Sequence, residues 1–199
     1  MQNPLEFYTQ EKAKFIAKSQ VLKKRIINIS TIRFFAFAIT CGLIYFNFNS
    51  PVLATAIAVI GFSGFIFLVL KNIKLKKEQK ITFQKIAINS TEINVLNGGF
   101  HHLETGIQFN DANHFYSNDI DLFGVGSFFQ YINRTVTKQG KIQLAKLLLA
   151  NDTTAIEAKQ NTLQELAKKI EWRQHFSALA SLVTVSYPML EAIGFVVAS

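Results

Sequence analysis

The chain has 199 residues, 49% of them hydrophobic, with nineteen Phe, one cysteine and a formal net charge of +8. The single cysteine, Cys41, excludes a disulfide within the chain and a zinc site of the multi-cysteine kind. The charge does not mark a nucleic-acid-binding face in the C-terminal part: thirteen of the 21 Lys and Arg lie in residues 1–33 and 71–86, and residues 87–199 carry a net −2.

In chain order, residues 1–31 are expected to form a cytoplasmic amphipathic helix, regular over 4–31. Tyr8, Phe15, Leu22, Ile26 and Ile29 recur at helical spacing with Lys and Gln between them. The pattern suits a helix on a membrane surface, and equally a helix packed on its own protein. Phe34 to Leu70 follows, thirty-seven residues without Asp, Glu, Lys or Arg. A bilayer core is ~30 Å thick and a spanning helix needs about 20 apolar residues. The stretch therefore predicts a transmembrane hairpin over 32–70, with spans near 32–48 and 51–70 and a turn at Asn47-Phe48-Asn49-Ser50-Pro51. Gly61 and Gly64 place small residues where a neighbouring helix could approach. Lys12, Lys14, Lys18, Lys23, Lys24, Arg25 and Arg33 precede the hairpin, and Lys71, Lys74, Lys76, Lys77, Lys80 and Lys85 follow it. The uncharged turn between the spans then faces outward, and both termini are expected in the cytoplasm, with the chain multi-pass in the inner (cytoplasmic) membrane. Membrane lipid is the expected partner, and the basic flanks suit anionic headgroups. A cleaved signal peptide does not fit, because the apolar run starts late and a second span follows at once.

Residues 71–126 read as a juxtamembrane helix and linker. Lys71 to Asn97 predicts a continuing helix, with Phe83, Ile86, Ile93 and Leu96 on one stripe and Gly98-Gly99 as its stop. Ile86-Ala87-Ile88 would equally open a short strand. Residues 98–126 are rich in Gly, Asn, Asp and His and predict irregular chain. Gly124-Val125-Gly126 lacks the Lys of a phosphate loop, and GxxxxGK[ST] occurs nowhere. Ser127 with Gln130 has the form of a capping box. The helix it opens, with Phe128, Phe129, Tyr131 and Ile132, is nearly all apolar and so expected to be buried. Thr135-Val136-Thr137 breaks it. Gln139–Leu149 predicts the next helix, with Leu144, Leu147 and Leu148 inward and Asn151-Asp152 at its end. Thr154 with Glu157 forms a second capping box, opening a helix with Ile156, Leu163, Leu166 and Ile170 on one face, extended by Trp172 and Phe176.

No catalytic constellation emerges, and no catalytic, cofactor-binding or metal-ligating residue is assigned. His101, His102, His114 and His175 lack metal-ligand spacing. Asp119 and Asp121 would share a face of an extended segment but read as a solvated turn. Thr135 and Thr137 read as satisfying backbone groups at the helix break.

The segment Ser127–Leu149 resembles the opening of the core (lever) domain of MutS-type mismatch-repair ATPases. The matching residues are Asn133, Thr135, Thr137, Gly140, Leu144 and Leu148. Ala158-Lys159-Gln160 and Leu163-x-x-Leu166 occupy the next family positions, with Lys159 in place of the usual Arg and without the Pro often found after Leu149. Asp119-x-Asp121-Leu122-Phe123-Gly124 and Glu171-Trp172-Arg173-Gln174 look like a bacterial MutS-like subgroup that carries two N-terminal membrane spans. The similarity covers roughly residues 85–182. It implies a mainly α protein: a two-span hairpin followed by an incomplete all-helical lever-like domain beginning at 127–199. It also implies a parent ATPase that uses ATP and Mg, contacts DNA and pairs as a homodimer through domains beyond this chain. Together with the apolar Val185–Ser199, this makes the chain read as an N-terminal piece of that parent. Mismatch reading does not transfer, since it needs a wedge-inserting domain, and Arg134, Lys138 and Lys141 are expected as solvated surface charges. The alternative is a small stand-alone membrane protein whose cytoplasmic helices bind a protein partner through the exposed Leu, Phe and Val of the last thirty residues.

Overall fold

The structure, a computed structural model, describes residues 3–150 and 153–197, with side chains up to residue 183. Six α-helices and one 3-10 turn make up its regular structure, and no strand occurs among the described residues. Two helices dominate. α1 runs Pro4–Phe46 and α2 runs Pro51–Leu96, 43 and 46 residues without a break. At 1.5 Å per residue each is roughly 65–70 Å long. The expected surface helix and first span are thus one helix, as are the second span and the juxtamembrane helix. Ile86-Ala87-Ile88 is helical, not strand. No Pro or Gly interrupts either junction between charged and apolar sequence, so nothing stops propagation.

The turn falls where its sequence placed it. Asn47 Nδ2 donates to the Leu43 carbonyl (2.9 Å), closing α1, and the Ser50 carbonyl accepts from Ala54 N–H (3.0 Å) to open α2. Pro51 takes the first helical position, where its missing N–H is harmless. α2 ends in a Schellman motif: Gly99 N–H donates to Asn94 O (2.8 Å) and Gly98 N–H to Val95 O (2.9 Å), with Gly98 at φ 83°.

The chain forms two compact units. One comprises residues 13–83, the body of the hairpin. Within it, Phe15, Ser19, Leu22, Ile26 and Ile29 of α1 are buried or half-buried, as are Asn72, Leu75, Gln79 and Thr82 of α2. The alternating steps of four and three are the heptad seam of an antiparallel coiled coil. Cross-helix contacts set the register: Lys18 pairs with Glu78 (2.8 Å) and Asn72 Nδ2 donates to Ser30 Oγ (3.2 Å). Further along, Arg33 lies over the Phe65 ring (5.7 Å) and Phe37 packs on Phe65 (6.2 Å). A Cβ on Gly61 would sit 2.4 Å from Thr40 Cγ2, so this glycine lets the helices meet, whereas Gly64 faces open space. Outside the seam, Phe34, Phe46, Ile60 and Phe67 are exposed. Both helices are long and apolar enough to cross a membrane.

The other unit, the head, comprises residues 3–12 and 84–197. Its core is Leu122, Phe123, Phe129 and Ala145, flanked by Phe109, Tyr116, Leu144, Leu148 and Leu149. Phe109, Phe123 and Phe129 form a triangle with centroids 5.4–6.1 Å apart. The regular elements of this unit, besides the ends of α1 and α2, are a 3-10 turn (Ile107–Phe109), α3 (Phe128–Ile132), α4 (Lys138–Leu149), α5 (Ile156–Lys168) and α6 (Ile170–Val197). Residues 98–126 are otherwise irregular, as their composition predicts. Their backbone is tied down by side chains. Tyr116 Oη donates to Leu148 O (2.8 Å) and a His114 ring nitrogen meets Leu149 O (3.2 Å), covering carbonyls that end α4.

Several local expectations need correction. In α3 only Phe129 and Gln130 are buried, while Phe128 and Tyr131 are exposed, because five residues present only one face to the core. In α4 Leu147 points outward, and Leu149 joins Leu144 and Leu148 instead. α5 starts at Ile156, its N-cap being Ala155 at φ 54° with no side-chain cap, one residue past Thr154. The single helix expected through Trp172 breaks at Lys169 (φ −97°, ψ 51°) into α5 and α6. Ile156, Leu163, Trp172 and Phe176 are all exposed. α4 closes at Ala150, and Asn151-Asp152 lie outside the described residues, as do the side chains of Val185–Ser199.

Candidate functional site

The residues singled out in 127–140 make one capped junction. Ser127 caps α3 by accepting from Gln130 N–H (3.2 Å). The Gln130 side chain is fully buried. It accepts from Gly126 N–H (2.8 Å) and donates to the carbonyls of His101 (3.0 Å) and Leu103 (2.6 Å). The expected capping box therefore forms, with its return arm reaching one residue further back and stapling the 101–103 loop. Asn133 Oδ1 accepts from both Thr135 N–H (3.0 Å) and Thr135 Oγ1 (2.7 Å), an Asx turn. Thr137 caps α4 through Gly140 N–H (3.1 Å). Both threonines are spent on local hydrogen bonding.

Arg134 is a correction. It was expected in solvent, but its Nε donates to Glu92 Oε1 (2.7 Å) and its Nη2 to Glu92 Oε2 (3.3 Å). Nη1 donates to the carbonyls of Tyr131 (2.9 Å) and Asn133 (3.0 Å). The guanidinium thus clamps α2 to the end of α3 with the bidentate geometry that suits Arg rather than Lys. Glu92 is the sole acidic residue between Glu78 and Glu104, which was the one available signal for this pair. Lys141 also pairs, with Glu104, while Lys138 is exposed. A second tie joins α2 to α6: Asn89 and Gln174 exchange amide hydrogen bonds (3.3 and 3.0 Å), both side chains buried.

These ties frame a cleft of about 280 Å³ within the head. α1 contributes Tyr8; α2 contributes Ala87, Ile88, Thr91 and Glu92; the turn contributes Asn133 to Val136; α6 contributes Ile170, Arg173, Gln174 and Ser177; Leu103 completes the wall. The resemblance-bearing segments, Asn133–Thr135 and Arg173-Gln174, meet here although forty residues separate them in sequence. Burial first, then the Glu92 carboxylate, pushes the Tyr8 hydroxyl up from its ordinary range, opposed by Arg173 and Arg134. The phenol consequently stays protonated and a hydrogen-bond donor at neutral pH. Sequence reasoning had placed Tyr8 in an apolar stripe and passed over Glu92 and Asn89.

Asp119 and Asp121 are exposed in a turn, Asp121 at φ 48°. No group of three His, Cys, Asp or Glu that could hold a metal occurs among the described residues. No family model, curated protein or solved structure matches the chain.

Proposed function

We propose that the chain is the membrane-anchoring and lever region of a MutS-like ATPase. The hairpin crosses the cytoplasmic membrane twice, both termini lie in the cytosol, and the head is a non-catalytic lever. The observation that carries this reading is the junction of the resembling segments. Asn133, Thr135, Thr137 and Gly140 form one capped turn, and that turn shares a cleft with Arg173 and Gln174. The heptad seam and the lipid-length apolar stretch supply the anchor. α2 runs unbroken from Pro51 to Leu96 and its last turns carry Asn89 and Glu92, so a displacement at the Arg134 or Gln174 tie acts directly on that helix. ATP and Mg belong to the parent on this reading. No phosphate loop exists in the sequence to hold them.

Sequencing the locus beyond codon 199 tests the proposal. A GxxxxGK[ST] segment downstream, with ATPase activity in a protein that includes it, is the expected result. Uninterrupted unrelated sequence sinks it. One observation favours a second reading, a stand-alone membrane protein that binds a partner. Trp172 and Phe176 stack at 5.5 Å and are both exposed. Native mass spectrometry from nanodiscs distinguishes the two: a stoichiometric co-purifying protein that is lost in Trp172→Ala, with no phosphate loop at the locus, selects the second.

A further inference from the structure

The cleft in the head holds a cation that its surroundings do not neutralise. Among the described residues Glu92 is the one carboxylate lining the cleft, and Arg134 occupies both its oxygens. Arg173 lines the same cleft, is exposed, and its guanidinium has no hydrogen-bond or ion-pair partner among the described residues. The Tyr8 hydroxyl likewise has none. Both groups line the one cleft. The remaining walls include Ile88, Leu103, Val136 and Ile170. The site therefore combines a fork of N–H donors, a phenolic O–H and an apolar floor.

We propose that this cleft binds a small monocarboxylate with an apolar body. Arg173 takes the carboxylate through two parallel N–H donors, Tyr8 donates a further hydrogen bond to it, and the hydrocarbon part lies against Ile88, Val136 and Ile170. Three considerations select the ligand class. The volume of about 280 Å³ falls just below the range of pockets for drug-sized ligands, about 300–1,000 Å³, and so suits a smaller molecule. One unneutralised positive charge balances one negative charge, whereas a phosphate dianion would leave surplus charge beside Glu92. Planar donors match a carboxylate's two oxygens, and the apolar walls disfavour a fully hydrated ion.

The test uses the full chain in lipid nanodiscs and benzoate as the probe, followed by saturation-transfer NMR and thermal unfolding with empty nanodiscs as the blank. Benzoate is expected to bind and to raise the melting temperature, while benzamide, its uncharged isostere, does not. Hydrogen bonds to charged groups contribute about 1.5–3 kcal/mol, so Arg173→Gln should weaken benzoate roughly 10- to 100-fold. Tyr8→Phe should weaken it several-fold. The Arg173 side chain makes no hydrogen bond or ion pair among the described residues, so Arg173→Gln is expected to retain the wild-type circular dichroism. Equal binding of benzamide, tighter binding of inorganic phosphate, unchanged affinity in Arg173→Gln, or no benzoate binding each overturns the proposal.

Discussion

At the residue scale the head is held by a few polar side chains that each satisfy several backbone groups. Gln130 is the clearest case: one buried amide serves Gly126, His101 and Leu103. Gln130→Ala strands those groups, and each unsatisfied buried group costs about 1–3 kcal/mol. A loss of roughly 3 kcal/mol in urea unfolding of the head is expected; a loss below the error of the measurement would refute the staple. Gly106 is constrained from the other side. At φ 68° it faces the Phe129 ring, which a Cβ would meet at 2.4 Å. Gly106→Ala is therefore both strained and overpacked, and should lower stability by about 1–3 kcal/mol in the same assay. Tyr8 makes the stability pH-dependent in a defined direction. Its folded-state pKa is raised, so the native state holds the phenolic proton more tightly than the unfolded chain. That contribution is complete below the unfolded pKa near 10 and is lost as pH rises through the folded value. Melting curves above pH 10 should fall more steeply for wild type than for Tyr8→Phe, and parallel curves would remove Tyr8 from the account.

At the scale of elements the hairpin shows how one heptad seam serves two kinds of sequence. The seam runs through the lysine-rich ends and is continued by Arg33, Thr40, Gly61 and Phe65 in the apolar part. Its polar positions include Asn72, which is 3% exposed, donates to Ser30 and leaves Oδ1 without a partner. A polar residue in a coiled-coil seam sets register at a cost in stability. Asn72→Leu should therefore raise the melting temperature while loosening register. Cysteines placed at positions 40 and 61 in a Cys41→Ser background should cross-link less completely in that variant. Unchanged cross-linking would show that register is set elsewhere, by Gly61 or the turn. The break at Lys169 is a different matter. Neither Gly nor Pro stands there, and a Glu165–Lys169 pair spans the junction; the chain bends where no local punctuation asks it to.

At the scale of the whole molecule the question is which solvent surrounds the apolar part of the hairpin. Exposed side chains such as Phe34, Phe46, Val52 and Ile60 would form a continuous apolar surface larger than soluble monomers carry. The membrane proposal expects alkaline carbonate to leave the protein in the pellet. In a Cys41→Ser background, a cysteine at position 49 should react with an impermeant maleimide on intact spheroplasts, and one at position 104 only after lysis. Labelling of position 104 from outside would invert the proposed topology; release by carbonate would end the membrane reading.

Much of this was legible in local sequence, because the signals are local. The thirty-seven-residue uncharged run, the Asn-Phe-Asn-Ser-Pro turn, the Gly98-Gly99 stop and the Ser127 and Thr137 caps depend on backbone hydrogen bonding within a few residues. Sequence also determined the helical class, since the charged arms carry an apolar stripe at helical spacing and the uncharged run is long enough for two spanning helices. Tertiary structure alone decided the partners. Arg134 with Glu92 and Asn89 with Gln174 lie 42 and 85 residues apart, and no periodicity announces a contact at that distance. It also decided which apolar residues are covered, leaving Leu147, Leu163 and Trp172 outside. A residue's burial is set by what packs over it, and that depends on every other element having found its place.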